Sequence, residues 1–335
     1  MFGMLGHASD TSAALTKLRV DSSEEAFSLT RLRLEKSIQR GWLKFLAVLL
    51  LALTGCLSHT QLLQQPKLAG PVVDADALQL VRGINERYDQ LHSFAATMDF
   101  TASVGGTHRG ERTDYSSCLG YILFRKPQML RVLILVPVLH VHAIDLTSNG
   151  TSFTLLIPSK NRAIEGRNSV AKPADNPLEN LRPNLFADTI LIHSISPDQI
   201  VSVIHQSATA QDARTKQLVE LPAYDLTVLS EAPPTQSPAP AQVAKPLRVI
   251  RFSRLDLLPI EQDIYDANGD LETQVLYGPY QDFGGTQFPS TIDINRPLDE
   301  YRIRLTVNKL TVNQPLRDDQ FELKIPEGIH VQKLE

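Results

Sequence analysis

The chain of 335 residues has only two cysteines, Cys56 and Cys118, and a single tryptophan. Two cysteines cannot build a disulfide scaffold, nor a four-ligand zinc site without several histidines. A surplus of cations is also missing: 33 Lys and Arg stand against 37 Asp and Glu, a formal net charge of -4, and the basic residues are scattered. Such a chain has little with which to neutralise phosphates, which argues against a nucleic-acid partner. No G-x-S-x-G, H-E-x-x-H, G-x-G-x-x-G or P-loop spacing occurs. Those patterns set up a nucleophile, a catalytic metal or a bound phosphate, so the expectation is no enzyme, no cofactor and no metal. What is present is a composition of 42% hydrophobic and 21% charged residues, enough to bury a sizeable core and unlike that of a disordered chain.

The N-terminal region is organised differently from the rest. Arg31, Arg33, Lys36, Arg40 and Lys44 stand against Glu35 alone, and ten apolar or near-apolar residues follow, Phe45 to Thr54. At ~1.5 Å per helical residue they reach roughly 15 Å, about half of a hydrocarbon core near 30 Å thick. The order of a basic region and a short apolar one is that of a secretory signal. It ends in Leu53-Thr54-Gly55-Cys56, which resembles the lipobox of bacterial lipoproteins. The resemblance implies lipidation of Cys56, with cleavage before it and palmitate among its acyl groups, and Leu57 in the next position favours outer-membrane sorting. Residues 1–55 are thus expected to be an N-terminal extension and signal peptide. Asp10, Asp21, Glu24 and Glu25 lie upstream of the basic region, which fits translation starting further in, at Val20, Leu32 or Leu34. Cys118 is then left without a partner and is expected to be a buried structural thiol.

Residues 56–73 have no sustained period and contain Gly70-Pro71, as in a tether between anchor and domain. Beyond it, 74–335 is expected to form one domain. Leu78, Val81, Ile84, Tyr88 and Leu91 recur at helical spacing behind Asp74 near the N-cap,. The period then changes to two. Strands are expected at 94–102, 120–125, 129–136, 141–147, 152–157, 199–205, 223–229, 247–258, 261–266, 271–278, 287–295 and 301–312, and a second helix at 177–192. Asn149-Gly150 and Asn268-Gly269 mark hairpins, so neighbouring strands should be antiparallel. In the last strand the apolar parity switches between Val307 and Leu310, predicting a β-bulge near Asn308 or Lys309. A loop at 232–246 holds five prolines. The fold class is therefore mainly β with a few helices. Leu130 to Val136 is apolar on both faces except at Arg131, so both faces should be covered, either by a curved sheet around the helices or by a second sheet.

Gly120-Tyr121-Ile122-Leu123-Phe124-Arg125-Lys126-Pro127-Gln128-Met129-Leu130-Arg131-Val132, the segment Asp145 to Pro158 around Asn149-Gly150, Asn161 to Gly166, and Phe321 to Gly328 together resemble the LolA/LolB-like lipoprotein-carrier superfamily over roughly residues 76 to 331. The resemblance implies an incurved antiparallel half-barrel lidded by helices, with an apolar cavity for lipid or lipoprotein acyl chains. It implies a role in lipoprotein sorting or lipid transfer at the cell envelope, on the outer membrane facing the periplasm, with envelope proteins as partners. The long Pro-rich loop and the polar stretch Thr107 to Ser117 depart from the family pattern. Leu130, Val132, Ile134 and Val136 are the lipid-binding candidates, Arg125 and Arg131 the candidates for a cavity mouth, and Val138 and Leu139 the candidates for a membrane-entering loop, weighed against a continued core strand. His140 and His142 would share one strand face about 6.5 to 7 Å apart, with Asp145 on the opposite face. A polar strand end explains them better than a metal site. The competing function is an anchored interaction or assembly module with no carrier activity.

Overall fold

The computed structural model describes residues 61–63, 65–139, 141–169, 181–230 and 244–334. The chain divides into two compact units, Met1–Gln64 and Gln65–Glu335, and the second carries everything below. The signal region, Cys56, His140, the start of the second expected helix and most of the Pro-rich loop lie outside the described residues.

In chain order the elements are β1 (Lys67–Leu68), α1 (Ala77–Gln90), β2 (Ser93–Gly106), β3 (Glu111–Arg125), β4 (Met129–Leu135), β5 (His142–Ser148), β6 (Ser152–Ile157), β7 (Arg162–Arg167), α2 (Pro183–Ile190), β8 (Ile200–Gln211), β9 (Leu218–Ser230), β10 (Lys245–Ser253), β11 (Pro259–Tyr265), β12 (Leu271–Tyr277), β13 (Tyr280–Asp282), β14 (Gln287–Pro289), β15 (Thr291–Arg296), β16 (Tyr301–Val312) and β17 (His330–Leu334). Fifteen strands form one open sheet in the order β1-β9-β10-β11-β12-β15-β16-β2-β3-β4-β5-β6-β7-β17, with β8 on the other side of β9, while β13 and β14 form a separate hairpin. Pairing is antiparallel except at β1 on β9 and β17 on β7, which are parallel. The fold is mostly β with two helices among the described residues.

The hydrophobic alternation explains why one face carries the helices. A cross-strand row runs Leu226, Ile250, Gln262, Val275, Ile294, Ile303, Ala102. A second runs Leu310, Ala96, Ile122, Val132, Leu146, Leu155, Ile164. Gln262 is the polar exception, and its Nε2 donates to the Asp188 carbonyl of α2 at 3.1 Å, while the Tyr277 hydroxyl donates to the Thr189 carbonyl at 3.0 Å. Two side chains from the sheet thus satisfy carbonyls near the end of α2. Leu185, Phe186 and Ile190 of α2 pack into the larger core with Ile122, Leu130 and Val132. Leu80 and Ile84 of α1 pack on Tyr224, Leu226, Ile250 and Phe252 in a second core.

The opposite face is polar, with Asp225, Arg251, Glu261, Leu276, Asp293, Arg304 and Thr101 in one row. Arg251 bridges Asp225 at 2.7 Å and also Glu261, and Arg304 holds Asp293 through two bonds of 2.8 Å. Cross-strand pairs of opposite sign are the favourable arrangement on a solvated sheet face.

Several expectations change. The N-cap of α1 is Asp76, which exchanges capping-box bonds with Gln79; Asp74 instead pairs with Arg254. Leu78 is 68% exposed and Leu80 is buried in its place, because the helix starts only at Ala77; Val81, Ile84 and Leu91 pack inward as expected. Thr107 to Ser117 is largely strand: β2 and β3 pair out to Gly106 and Glu111 as a ribbon. The strand expected at 287–295 breaks at Ser290, whose N–H donates to the Pro279 carbonyl. Cys118 is only half-buried, and partial desolvation raises its thiol pKa. The predicted bulge is present: the β16–β2 register shifts between Val307 and Lys309.

Candidate functional site

A cavity of about 430 Å³ opens between α1, the end of α2 and the strand ends near β14 and β16. Its apolar wall includes Ile84, Leu91, Ile190, Leu191, Phe288 and Val312, and Arg87, Gln90, Gln287 and Asn313 supply polar atoms. The helix face explains this chemistry: α1 turns Ile84 and Tyr88 toward the sheet and leaves Arg87 beside them in its last turn. Three tyrosines belong to the wall, Tyr88, Tyr277 and Tyr280, and the last two are fixed through their hydroxyls. The Tyr280 hydroxyl donates to the Pro259 carbonyl at 2.9 Å and the Tyr277 hydroxyl is taken by α2. Burial pushes both phenols upward, so they stay neutral and present an uncharged wall.

The β3–β4 turn at Lys126-Pro127 closes against the same helix. The Lys126 ammonium sits 3.8 Å over the Tyr88 ring, donates to the Tyr88 carbonyl and has its pKa lowered by desolvation. It thereby caps the C-terminal turn of α1.

At the opposite end of β4 the chain turns outward. Val138, Leu139 and Val141 are 89%, 71% and 54% exposed. The Val136 N–H donates to the Val141 carbonyl and the Leu139 N–H to the Pro137 carbonyl, with Val138 at φ 68°. A β-branched residue in the left-handed region is strained, and this one sits at the tip of an apolar loop. The continued core strand weighed above is not what these residues form.

The remaining candidates fall elsewhere. Leu130 and Val132 are fully buried and Ile134 partly so, all in the core beneath α2, and Val136 is half-buried at the strand end; none lines the 430 Å³ cavity. Arg131 forms a two-pronged ion pair with buried Asp145, at 3.1 and 2.8 Å, and donates to the Gln320 carbonyl at 3.0 Å. Arg125 lies 5.2 Å over the Phe321 ring, donates to the Leu316 carbonyl and pairs with Asp318. Both arginines hold the C-terminal segment against the Met129–Arg131 end of the outer face of β4. Asp145 lies 3.9 Å from the His142 ring, not on the opposite face, because the β4–β5 register shifts between Ile134 and Leu135. Among the described residues no group of three or more His, Cys, Asp or Glu is placed to hold a metal ion, and no helix is long and apolar enough to cross a membrane.

The cavity between α1 and β14 was missed in the sequence because its wall is assembled from short, distant pieces. Leu91, Leu191 and Val312 each sit at an element end and Phe288 lies in a three-residue strand, where no period is long enough to read.

No protein-family model matches the chain, and no curated protein matches it. Among solved structures it is similar to a LolA superfamily protein from Nitrosomonas europaea, at 13% identity and TM-score 0.43, covering 72% of this chain and 97% of that one. A DUF1329 family protein from Desulfovibrio piger matches at 13% identity and TM-score 0.44, covering 73% and 95%. A domain from Vibrio parahaemolyticus described by outer membrane lipoprotein sorting matches at 12% and 0.43, covering 73% and 97%. At these values the functional reading rests on the chain's own residues.

Proposed function

We propose that the protein is a membrane-anchored envelope lipoprotein that binds lipid or lipoprotein acyl chains without covalent chemistry. In this reading the sheet curves round α1 and α2 as a half-barrel with the helices as its lid. The observation that carries the proposal is the 430 Å³ cavity with its apolar wall and a few polar atoms, the usual composition of a site for an apolar ligand with a polar head. A longer chain would displace α2 and reach Leu130, Val132 and Ile134 on one face of β4, and Val136 just beyond its end. Arg125 and Arg131 act by holding the C-terminal segment in place.

Cys56 carries the anchor in this reading, with residues 1–55 removed and 56–73 as the tether. Because Lys67–Leu68 is paired with β9, only Leu57 to Pro66 separates the anchor from the sheet; about ten residues at ~3.3 Å each reach at most about 33 Å, which keeps the folded unit near the bilayer. The exposed apolar loop supports membrane contact, since the anchor holds the domain at the bilayer where a small apolar patch, weak on its own, can insert. Outer-membrane sorting follows from Leu57 and the lipobox resemblance.

The second reading, an assembly module with no cargo, is favoured by one feature: most of the inner sheet face is filled by the protein's own side chains. Titration with a fluorescent fatty acid separates the two. Saturable binding that is weakened at least tenfold by Val312→Trp, in a variant with an unchanged melting temperature, supports acyl binding. Absence of saturable binding by the parent selects the assembly module.

A further inference from the structure

Sheet edges expose unpaired N–H and C=O groups, and proteins blunt them with charges, prolines, bulges or short length. Three of the open edges here follow that rule. The outer half of β3 has no partner on its far side among the described residues, since β4 pairs only with Gly120 to Arg125, and this edge carries Glu111, Arg112 and Asp114. The far side of β17 carries His330 and Lys333. The strand β1 is two residues long and includes Lys67.

The fourth edge, β8, breaks the rule. It is twelve residues long, Ile-Val-Ser-Val-Ile-His-Gln-Ser-Ala-Thr-Ala-Gln, with no Lys, Arg, Asp, Glu, Pro or Gly. It pairs with β9 in unbroken register from Ile200–Leu229 to Gln211–Leu218, and among the described residues no strand lies beyond it. Val201 and Val203 pack against the α1 core and His205 meets the Tyr224 ring edge-on at 4.9 Å, so one face of the strand is held in place. Ile204, on the other face, is 51% exposed.

We infer that β8 is a docking edge for a second copy of this chain, joined by antiparallel β8–β8 pairing about a two-fold axis. Self-pairing makes a specific demand. Residues opposite one another in an antiparallel pair point to the same face, and a two-fold axis perpendicular to the sheet keeps the faces of the two copies aligned. Partners i and j must then have the same parity, so one residue lies on the axis and meets its own copy. Any charged side chain near that axis would face an identical charge, which is destabilising. An uncharged strand satisfies this in every register, and β8 is the long edge of this sheet that does. The paired sheets would place both α1 helices on one side and both rows of ion pairs on the other.

The geometry makes the test sharp. A disulfide needs Cα atoms within about 4.4–6.8 Å. Only the residue on the axis meets that condition with its own copy, since neighbours on the strand are displaced from theirs by about 6.7 Å along it. The experiment uses the full chain with Cys118→Ser, in membranes of the cells that make it. Single cysteines are placed at each position from Ile200 to Gln211 except Ala208, followed by copper-phenanthroline oxidation and a non-reducing gel. The expected result is a band of twice the chain mass that peaks at one position, at least tenfold above Cys118→Ser alone, and falls to that baseline when Ala208→Lys is added without a change in melting temperature. A flat profile, no band above baseline, or a product whose mass shows a different protein joined to β8 would overturn the proposal.

Discussion

Single residues carry much of the packing logic. Gly120 lies where β3 passes between Phe100 and the Leu133 carbonyl: a Cβ there would come within 2.5 Å of the Phe100 ring and 2.8 Å of that oxygen. Gly120→Ala is therefore expected to cost at least about 1–3 kcal/mol, as overpacking does, read as a lowered urea midpoint. Removing the Arg131 side chain leaves Asp145 buried without its bidentate partner, and Arg131→Ala should destabilise by about 3–5 kcal/mol, with Arg131→Met/Asp145→Leu much closer to the parent. Asp263 supplies a pH test. Burial first, and the Glu261 carboxylate second, raise its pKa. A carboxyl with a raised folded-state pKa binds its proton more tightly in the native state, so its contribution to stability is fully present below the unfolded value near ~3.9 and is lost as pH rises through the folded value. Asp263→Asn should thus stabilise the protein at neutral pH and have no such effect near pH 3, measured by thermal melts at both.

Among elements, legibility followed the length of the repeating pattern. The strand β16 was read with its bulge because twelve residues of alternation change parity once, and only one inserted residue produces that change. The helix α1 was read as a helix, and Val81, Ile84, Tyr88 and Leu91 face inward as expected, but its cap and first-turn contact differ: Asp74 and Asp76 are both plausible caps, and Leu78 and Leu80 both fit a helical spacing. Only packing on Tyr224 and Ile250 selects Leu80. The resemblance motifs at Gly120, Lys126-Pro127 and Asn149-Gly150 mark the places where β3, β4, β5 and β6 are joined or pass closely. The cavity has no such signature. The loop after β4 was named in the sequence, but its exposure depends on where β4 ends. Leu139→Glu should leave the melting temperature unchanged and reduce liposome flotation roughly tenfold or more, since burying one Leu is worth about 1.5–3 kcal/mol. Asp76→Ala should cost about 1 kcal/mol through loss of the cap.

For the whole molecule, the proposed function joins an anchor at Cys56 to the apolar cavity of the folded unit. The anchor is tested apart from the cavity: Cys56→Ala should abolish metabolic labelling by palmitate, and undiminished labelling would place the lipid elsewhere. Acyl binding is tested most directly by native mass spectrometry of the Cys56→Ala chain, purified without detergent. The expected spectrum shows adducts whose masses are those of fatty-acyl lipids, near one per chain, and their loss in Val312→Trp protein that melts at the parent temperature. A parent spectrum free of lipid adducts, from protein folded as judged by the same melt, would contradict it.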